Sequence, residues 1–459
     1  MHLKEENVVS LLRKRGLLTA REIAVALEAS QPTVSRWITK LGPQRTVRVG
    51  QARSTRYALR RSLRGLGSSW PLYRIGCDGV PNAVGQLYAL EGGQWYVEQE
   101  SPWQTWRGSE FREGLYPGLP WFLQDLRPRG FLGRCFIRNY AARLGTPLDP
   151  HRWSDDDVAV ALIRFGDDLS GDLVLGRDAL AAVQMRRVRG VEAIPAQERM
   201  TAYPVRADAA LSGEWPGSSA AGEQPKFTAC VSDQGGDVRH VIVKFSGKEG
   251  RAEDRRWADL LLSEHAANAV LSEGGVPCAT TGILQSSGRF FLESTRFDRA
   301  GAHGRRGLVS LEALDAAFFG AMDTPWTEAA TRLSGDGWIT ASDADCLSIL
   351  WWFGTLIGNT DMHYGNVSLL LEPARPLSLS PAYDMVPMLY RPDVEGRFSS
   401  EPVAPLPPPP EALPSWSRAS LLAERFWSRL SASGAVSGPF RQIAARNADV
   451  VTGYRRKFL

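Results

Sequence analysis

Leu356-Ile-Gly-Asn359-Thr-Asp361-Met-His363-Tyr-Gly-Asn366-Val-Ser-Leu-Leu-Leu371, followed by Pro381-Ala-Tyr383-Asp384-Met-Val386, is the stretch from which the rest of the chain can be read. Asp361 and Asn366 keep a D-x-x-x-x-N spacing, and a second carboxylate, Asp384, follows 18 residues after Asn366, beyond an apolar strand. Phosphoryl transfer needs these groups in this relation. One carboxylate must accept or orient the proton of an attacking hydroxyl, while an amide oxygen and a second carboxylate hold Mg²⁺ against phosphates.

Upstream, the strand His240-Val-Ile-Val-Lys244-Phe buries an ammonium, which is costly without an anionic partner. A helix over 255–271 follows and carries Glu264, so the pair resembles the strand lysine and helix glutamate of protein kinases. Taken alone, the same residues also fit an edge-strand lysine reaching water and an unrelated surface glutamate. Before them, Ser218-Ser219-Ala-Ala-Gly222-Glu-Gln224-Pro-Lys226-Phe is a small-residue loop feeding a hairpin of strands at 227–231 and 241–245. Such a loop lets backbone N–H groups approach phosphates closely.

Together, Gly358-Asn-Thr-Asp-Met-His363 with Asn366, the 219–226 loop, Lys244, Ser263-Glu264 and Arg296-Phe-Asp-Arg299 resemble the HipA family of serine/threonine kinase toxins over most of residues 115–430. The resemblance implies a two-lobed α+β, protein-kinase-like fold that takes ATP and Mg²⁺. It assigns Asp361 as the base or hydroxyl orienter and Asn366 and Asp384 as magnesium ligands. Lys244 would meet the phosphates beside Glu264, and the backbone near Phe297 would meet adenine. Gly222, Gln224, Lys226 and His363 complete the nucleotide site, with Ser219 the self-phosphorylated loop serine and a protein, such as an aminoacyl-tRNA synthetase, the substrate. The sequence departs from the family at Gly365, where relatives carry a lysine, and at Glu223 and Pro225 in the loop.

The chain also departs at its N-terminus, and there it is similar to the stand-alone, YjjJ-like subgroup with its own DNA-binding unit. Residues 1–65 hold 14 Lys+Arg against 4 Asp+Glu, a net +10 in a chain whose total is +4, which leaves −6 for the remainder. The cations ride on apolar periodicity. A helix over 5–15 is followed by one capped by Thr19 with Glu22 three residues on, then by one capped by Ser30 that buries Val34, Ile38 and Leu41. The third helix leaves Gln31, Thr33, Ser35, Arg36 and Lys40 outward, and Arg45, Arg48, Arg53 and Arg56 lie on a two-stranded wing. This is the composition of a winged helix-turn-helix that reads DNA and binds less as salt rises. A helical protein-interaction domain of the same shape is the alternative.

The sequence divides into a DNA-binding unit at 1–65, a linker (Gly/Ser-rich at 64–69) and HipA-like subdomain at 66–200, a kinase N-lobe at 201–300 and a helical C-lobe at 301–459. The middle shows no catalytic spacing. A hairpin turns at Gly92-Gly93, a helix spans 155–165, and Trp95, Trp103, Trp106 and Trp121 read as core. Residues 402–410 read as an exposed polyproline connector before two closing helices. Five scattered cysteines without C-x-x-C spacing fit a reducing cytoplasm, and the apolar run 347–358 is too short to cross about 30 Å of hydrocarbon. Two other functions fit parts of the pattern. A metal-dependent DNA-cleaving toxin would use Asp361, His363, Asn366 and Asp384, and a non-catalytic regulator would only sense ATP. A homodimer on paired half-sites is a further expectation.

Overall fold

The computed structural model describes the chain except residues 1, 52–53, 100–103, 109, 112, 214–223 and 322–323, and the side chains of residues 2, 3, 104 and 105. Ser219 and Gly222 of the loop, Arg53 of the wing and Trp103 therefore lie outside the described residues.

At the N-terminus, helices His2–Arg15, Ala20–Ala26 and Gln31–Leu41 close on a small antiparallel sheet whose strands run in the order Leu18–Thr19, Arg56–Leu59, Thr46–Val49. Thr19 and Glu22 form the full capping box, and Ser30 caps the third helix by accepting from Thr33 N–H. Val8, Leu12, Ile23, Val34 and Ile38 make its own core.

The Gly/Ser stretch expected as a linker is a tight turn. Gly65 and Gly67 take φ of +77° and +89°, so the glycines supply left-handed backbone rather than slack. Arg64 is ion-paired with Asp157, Arg61 donates to Asp156 (2.9 Å), and Arg56 pairs with Glu113. One face of the wing, Val47, Val49 and Ala58, packs on Leu90 and Tyr96 of the next unit. The N-terminal unit is thus bolted down.

The middle unit is an antiparallel sheet ordered Leu115–Tyr116, Trp95–Gln99, Pro81–Ala89, Ser69–Ile75, Leu173–Leu175, and it includes the hairpin expected around Gly92-Gly93. Helices Gly130–Leu144 and Asp155–Phe165 precede its strand Leu173–Leu175 in the chain, and Trp95, Trp106 and Trp121 are core. This core is continuous with that of the C-terminal helices.

A second five-stranded sheet, ordered Thr281–Ser286, Arg289–Thr295, Val238–Phe245, Lys226–Ser232, Ile194–Pro195, has a separate core of Tyr203, Phe227, Val241, Val243, Phe245 and Phe291. Helix Ala252–Glu273 backs it. Beyond lie helices Leu311–Phe318, Trp326–Gly335, Ala341–Ile357, Leu413–Ala432 and Gly438–Phe458, with a small sheet of Leu308–Ser310, Ser368–Leu370 and Ser378–Leu379. The apolar run at 347–358 belongs to the buried helix Ala341–Ile357, and Pro402–Pro410 carries no regular structure except at its last residue, with Val403 buried. Among the described residues, no helix is long and apolar enough to cross a membrane.

Candidate active site

Lys244 lies on Val238–Phe245, which is an interior strand, not an edge. Its neighbours across the sheet are Lys226 on one side and Leu292 on the other. Two ammonium groups at facing positions, both nearly buried, demand carboxylates. Lys244 Nζ donates to both oxygens of Glu264 at 2.7 Å and is bonded to Asp384 as well. The fourth turn of Ala252–Glu273 brings Glu264 there, and the segment after Ser378–Leu379 brings Asp384.

Burial alone would push the Lys244 ammonium towards losing its proton, but Asp384 and Glu264 outweigh that and hold it charged. Burial likewise pulls the Asp384 carboxyl up, and Lys244 and then Lys226 reverse the pull and hold it below its ordinary value. Glu264 sits deeper and is pushed up by burial in spite of Lys244. Asp384 also adopts φ +57°, a conformation that residues with side chains keep only when their surroundings impose it.

The loop bearing Asp361 is built by its own side chains. Helix Ala341–Ile357 stops at Gly358, whose φ of +73° turns the chain, and Asn359 then bridges two segments. Its Oδ1 accepts from the Asp361 N–H (3.0 Å) and its Nδ2 donates to the Asp384 carbonyl (3.5 Å). Asn366 Nδ2 donates to the Asp361 carbonyl at 2.7 Å, so the amide oxygen is the end left for another partner. His363 Nδ1 accepts from the Gly365 N–H (3.0 Å), while its Nε2 is 3.9 Å from Asp361 Oδ1. The Asp361 carboxylate itself is half exposed.

These groups face one space. A cleft of 1340 Å³ is lined by Gln224, Lys226, Lys244, Asp361, His363 and Asp384. It shares Lys226, Lys244 and Asp384 with a narrower hollow of 160 Å³ that adds Glu264, Ser294, Thr295, Phe297 and Asn366. A third hollow, of 420 Å³, opens beside Asp361 and is lined by Trp351, Met362 and Tyr364. The Phe297 ring lies 5.7 Å from that of Tyr383, whose hydroxyl bonds Ser368 Oγ (2.7 Å) and the Gly365 carbonyl (3.2 Å). Beneath Phe297, Arg296 and Arg299 clamp Asp298 at 2.8 and 2.7 Å.

The structure thus brings together Gln224, Lys226, Lys244, Glu264, Phe297, Asp361, His363, Asn366 and Asp384. Oxygen donors from Asn366 and Asp384, with a cation already seated on Asp384, suit a divalent ion, and the paired lysines suit phosphates. Magnesium and ATP fit this donor set. Asn359 has no role in the sequence pattern, nor do Arg129 and Glu312, which line the same cleft. Asn359 had a local signal in the N-x-D spacing of a side chain that caps its own loop. Arg129 had none.

On the N-terminal unit, Gln31, Ser35, Arg36, Lys40, Arg45 and Arg48 are exposed, and Thr33 and Arg56 are half-buried. Three of these cations already face protein carboxylates: Lys40 with Glu5 (2.5 Å), Arg45 with Glu6 (3.1 Å) and Arg56 with Glu113. Among the described residues, Arg36 bonds only its own helix, at Pro32 O and Thr33 Oγ1, and Arg48 bonds Thr55 Oγ1.

Comparison with known proteins places this geometry in a family. Residues 66–184 match the YjjJ-like toxin middle domain, and residues 218–406 the HipA-like C-terminal domain. Toxin YjjJ of Escherichia coli (strain K12) is 36% identical over 445 residues, which is 96% of this chain and 97% of that protein. The chain belongs to the YjjJ-like toxin family. The match to YjjJ takes in nearly the whole length, so the N-terminal unit is part of what the two YjjJ-like chains share. A protein of Sinorhizobium fredii (strain NBRC 101917 / NGR234) called "Putative kinase Y4dM" is 28% identical over 240 residues, 49% of this chain and 56% of that one. In fold, the chain is similar to a chain of the Shewanella oneidensis MR-1 toxin–antitoxin complex of HipA, HipB and operator DNA. The TM-score is 0.51 at 14% identity, covering 85% of this chain and 97% of the other. The expected HipA-like α+β fold is thereby established, while the family membership rests on the sequence matches to Toxin YjjJ and to the HipA-like C-terminal domain.

Proposed function

We propose that the chain is an ATP- and Mg²⁺-dependent serine/threonine protein kinase toxin, acting in the bacterial cytosol, whose N-terminal unit holds it on DNA. One observation carries the reading: the Lys244 ammonium sits between Glu264 and Asp384 on a cleft that also holds Asp361, with Asn366 tied to the Asp361 carbonyl. A nuclease built on Asp361, His363, Asn366 and Asp384 would not need Lys244. A pure sensor would not need the half-exposed Asp361 beside a third hollow.

Magnesium, when bound, neutralises phosphate charge and holds the phosphates in line. The Asn366 amide oxygen and the Asp384 carboxylate would hold it, Lys226 and Lys244 would meet phosphate oxygens, and the backbone at 294–297 would meet the adenine edge. Asp361 orients the attacking hydroxyl and takes its proton as the new oxygen–phosphorus bond forms and the bond to the departing ADP oxygen breaks. Asn359 fixes both carboxylate segments, so it acts as a positioning residue. The acceptor is a protein hydroxyl, with an aminoacyl-tRNA synthetase the substrate carried by the HipA resemblance. Ser219 is the self-modified position, where a phosphate of about −1.5 to −2 charge would repel bound nucleotide.

On DNA, Arg36, Arg48, Gln31 and Ser35 are the proposed contacts, and a homodimer would span two half-sites. Incubating the purified chain with γ-labelled ATP and Mg²⁺ tests the reading. The chain should label itself, with label lost in Asp361→Asn and Lys244→Ala and self-labelling lost in Ser219→Ala. DNA nicking that survives Lys244→Ala, without any labelled protein, would replace the kinase with the nuclease.

A further inference from the structure

Arg129 comes from the middle unit, yet it lines both the 1340 Å³ cleft and the 160 Å³ hollow beside Lys226, Lys244 and Asp384. It follows Pro128 and opens helix Gly130–Leu144 as its N-terminal flanking residue, with its carbonyl accepting from the Gly133 N–H (3.0 Å). A side chain at Gly133 would strike the Pro128 backbone at 2.6 Å, so this elbow lies tight against the helix. Its neighbour Arg127, which also lines the 160 Å³ hollow, donates to Trp153 O, Gln124 and Asp155. The elbow is anchored on one side, and Arg129 projects from it to Glu312, where its Nη1 donates to Oε1 at 2.8 Å.

Glu312 and Gly365 line all three hollows, including the one beside Asp361. A Cβ at Gly365 would stand 2.8 Å from the His363 ring and 3.1 Å from Glu312 Oε2. Glycine therefore lets the loop, the imidazole and the Glu312 carboxylate meet at one point, with Arg129 attached. The hollows that share this point are lined by Lys226 and Lys244 in two cases and by Asp361 in two. The charge of the loose phosphoryl-transfer transition state, spread over three equatorial oxygens, would develop there. Lys244 cannot serve it freely, because Glu264 and Asp384 hold its ammonium.

We propose that Arg129 is a catalytic residue which the middle unit inserts into the kinase cleft to bind the transferred phosphoryl group, and that Glu312 positions its guanidinium until the nucleotide arrives. The inference rests on the phosphotransfer reading above. No covalent change at Arg129 is involved: its N–H groups move from the Glu312 carboxylate to γ-phosphoryl oxygens. It also gives the middle unit a chemical role in the cleft.

The test uses the full chain with Arg129→Ala, Arg129→Lys, Glu312→Gln and the control Arg127→Ala. Calorimetric titration with Mg-ADP and with the non-hydrolysable γ-phosphate analogue Mg-AMP-PNP reads the contact independently of turnover. Arg129→Ala should keep Mg-ADP affinity within about 2-fold and lose about 10-fold for AMP-PNP, one good charge-assisted hydrogen bond. Phosphate transfer should fall by about 10²- to 10³-fold in kcat, with Arg129→Lys recovering little because an ammonium lacks the planar fork. Millimolar guanidinium chloride should restore Arg129→Ala at least several-fold and leave the other variants unchanged. Glu312→Gln should tighten AMP-PNP, and Arg127→Ala should lower stability without changing the ADP to AMP-PNP ratio.

Equal losses for both nucleotides, with no guanidinium rescue, would make Arg129 a packing residue and overturn the proposal, as would wild-type turnover in Arg129→Ala. If the unaltered chain binds AMP-PNP but transfers nothing, the kinase reading fails alone and the affinity ratio still decides the Arg129 contact. If it binds neither nucleotide, both fail.

Discussion

Replacing Lys244 by methionine removes the cation shared by Glu264 and Asp384 while keeping the side chain's bulk. Glu264 is 2% exposed and lies 2.7 Å from the lost ammonium, so the variant leaves a carboxylate in the protein interior next to a second one. Breaking a buried pair by deleting one partner costs about 3–5 kcal/mol. Lys226 remains close enough to hold Asp384 down and Glu264 can take up a proton, so the lower end, about 3 kcal/mol at pH 7.5, is expected. For a unit of about 150–250 residues this is a drop in melting temperature of about 6–12 °C. Burial already raises the Glu264 carboxyl above its ordinary value, and losing Lys244 raises it further. A carboxyl with a raised folded pKa is stabilised below its unfolded pKa and loses that stability as pH rises through the folded value, so the deficit should shrink towards pH 5. Melting curves of the unaltered chain, Lys244→Met, Glu264→Gln and the double variant at both pH values measure this. A coupling of at least about 2 kcal/mol is expected. A coupling below about 0.5 kcal/mol, or a deficit equal at both pH values, would refute the buried-triad argument.

Three further outcomes follow from the same structure. Asn359→Ala should lower kcat by about 10²-fold with little change in KM for ATP, because it unties the Asp361 N–H from the Asp384 carbonyl without removing a reacting group; an unchanged kcat would deny it a positioning role. Arg36→Ala and Arg48→Ala should each reduce the slope of log affinity for duplex DNA against log salt by about one, and Lys40→Ala by much less because Glu5 already neutralises it; equal slopes for all three would contradict the assignment. Burial pulls the Asp298 carboxyl up, but Arg296 and Arg299 hold it well below the ordinary value, so its contribution is present above pH about 4 and is lost as pH falls towards the depressed folded value. Asp298→Asn should therefore cost about 3–5 kcal/mol at pH 7 in denaturant titrations and much less near pH 2; a cost independent of pH would remove the ion cluster as its cause.

The kinase-like half was legible because its chemistry is written locally. Asp361 and Asn366 fall within one loop, Lys244 stands out as a charge in an apolar strand, and Glu264 lies on the helix that follows. The capping box at Thr19 and Glu22 and the hairpin at Gly92-Gly93 are equally local. What escaped reading depends on contacts between distant segments. Arg129 meets Glu312 across 183 positions, and Arg64 meets Asp157 across 93, with no periodicity to announce either. Glycines at 65 and 67 resemble a flexible linker in composition, yet their backbone angles serve a turn that clamps the N-terminal unit. Likewise, the cations of the N-terminal unit were visible as charge, whereas the glutamates that neutralise Lys40, Arg45 and Arg56 lie on other elements.

Calorimetric titration of AMP-PNP into the full chain, with and without Mg²⁺, addresses the nucleotide cleft most directly. One site per chain is expected, with micromolar affinity that requires Mg²⁺ and is lost in Asp384→Asn. Absence of binding heat with Mg²⁺ present, or equal binding by Asp384→Asn, would contradict that expectation.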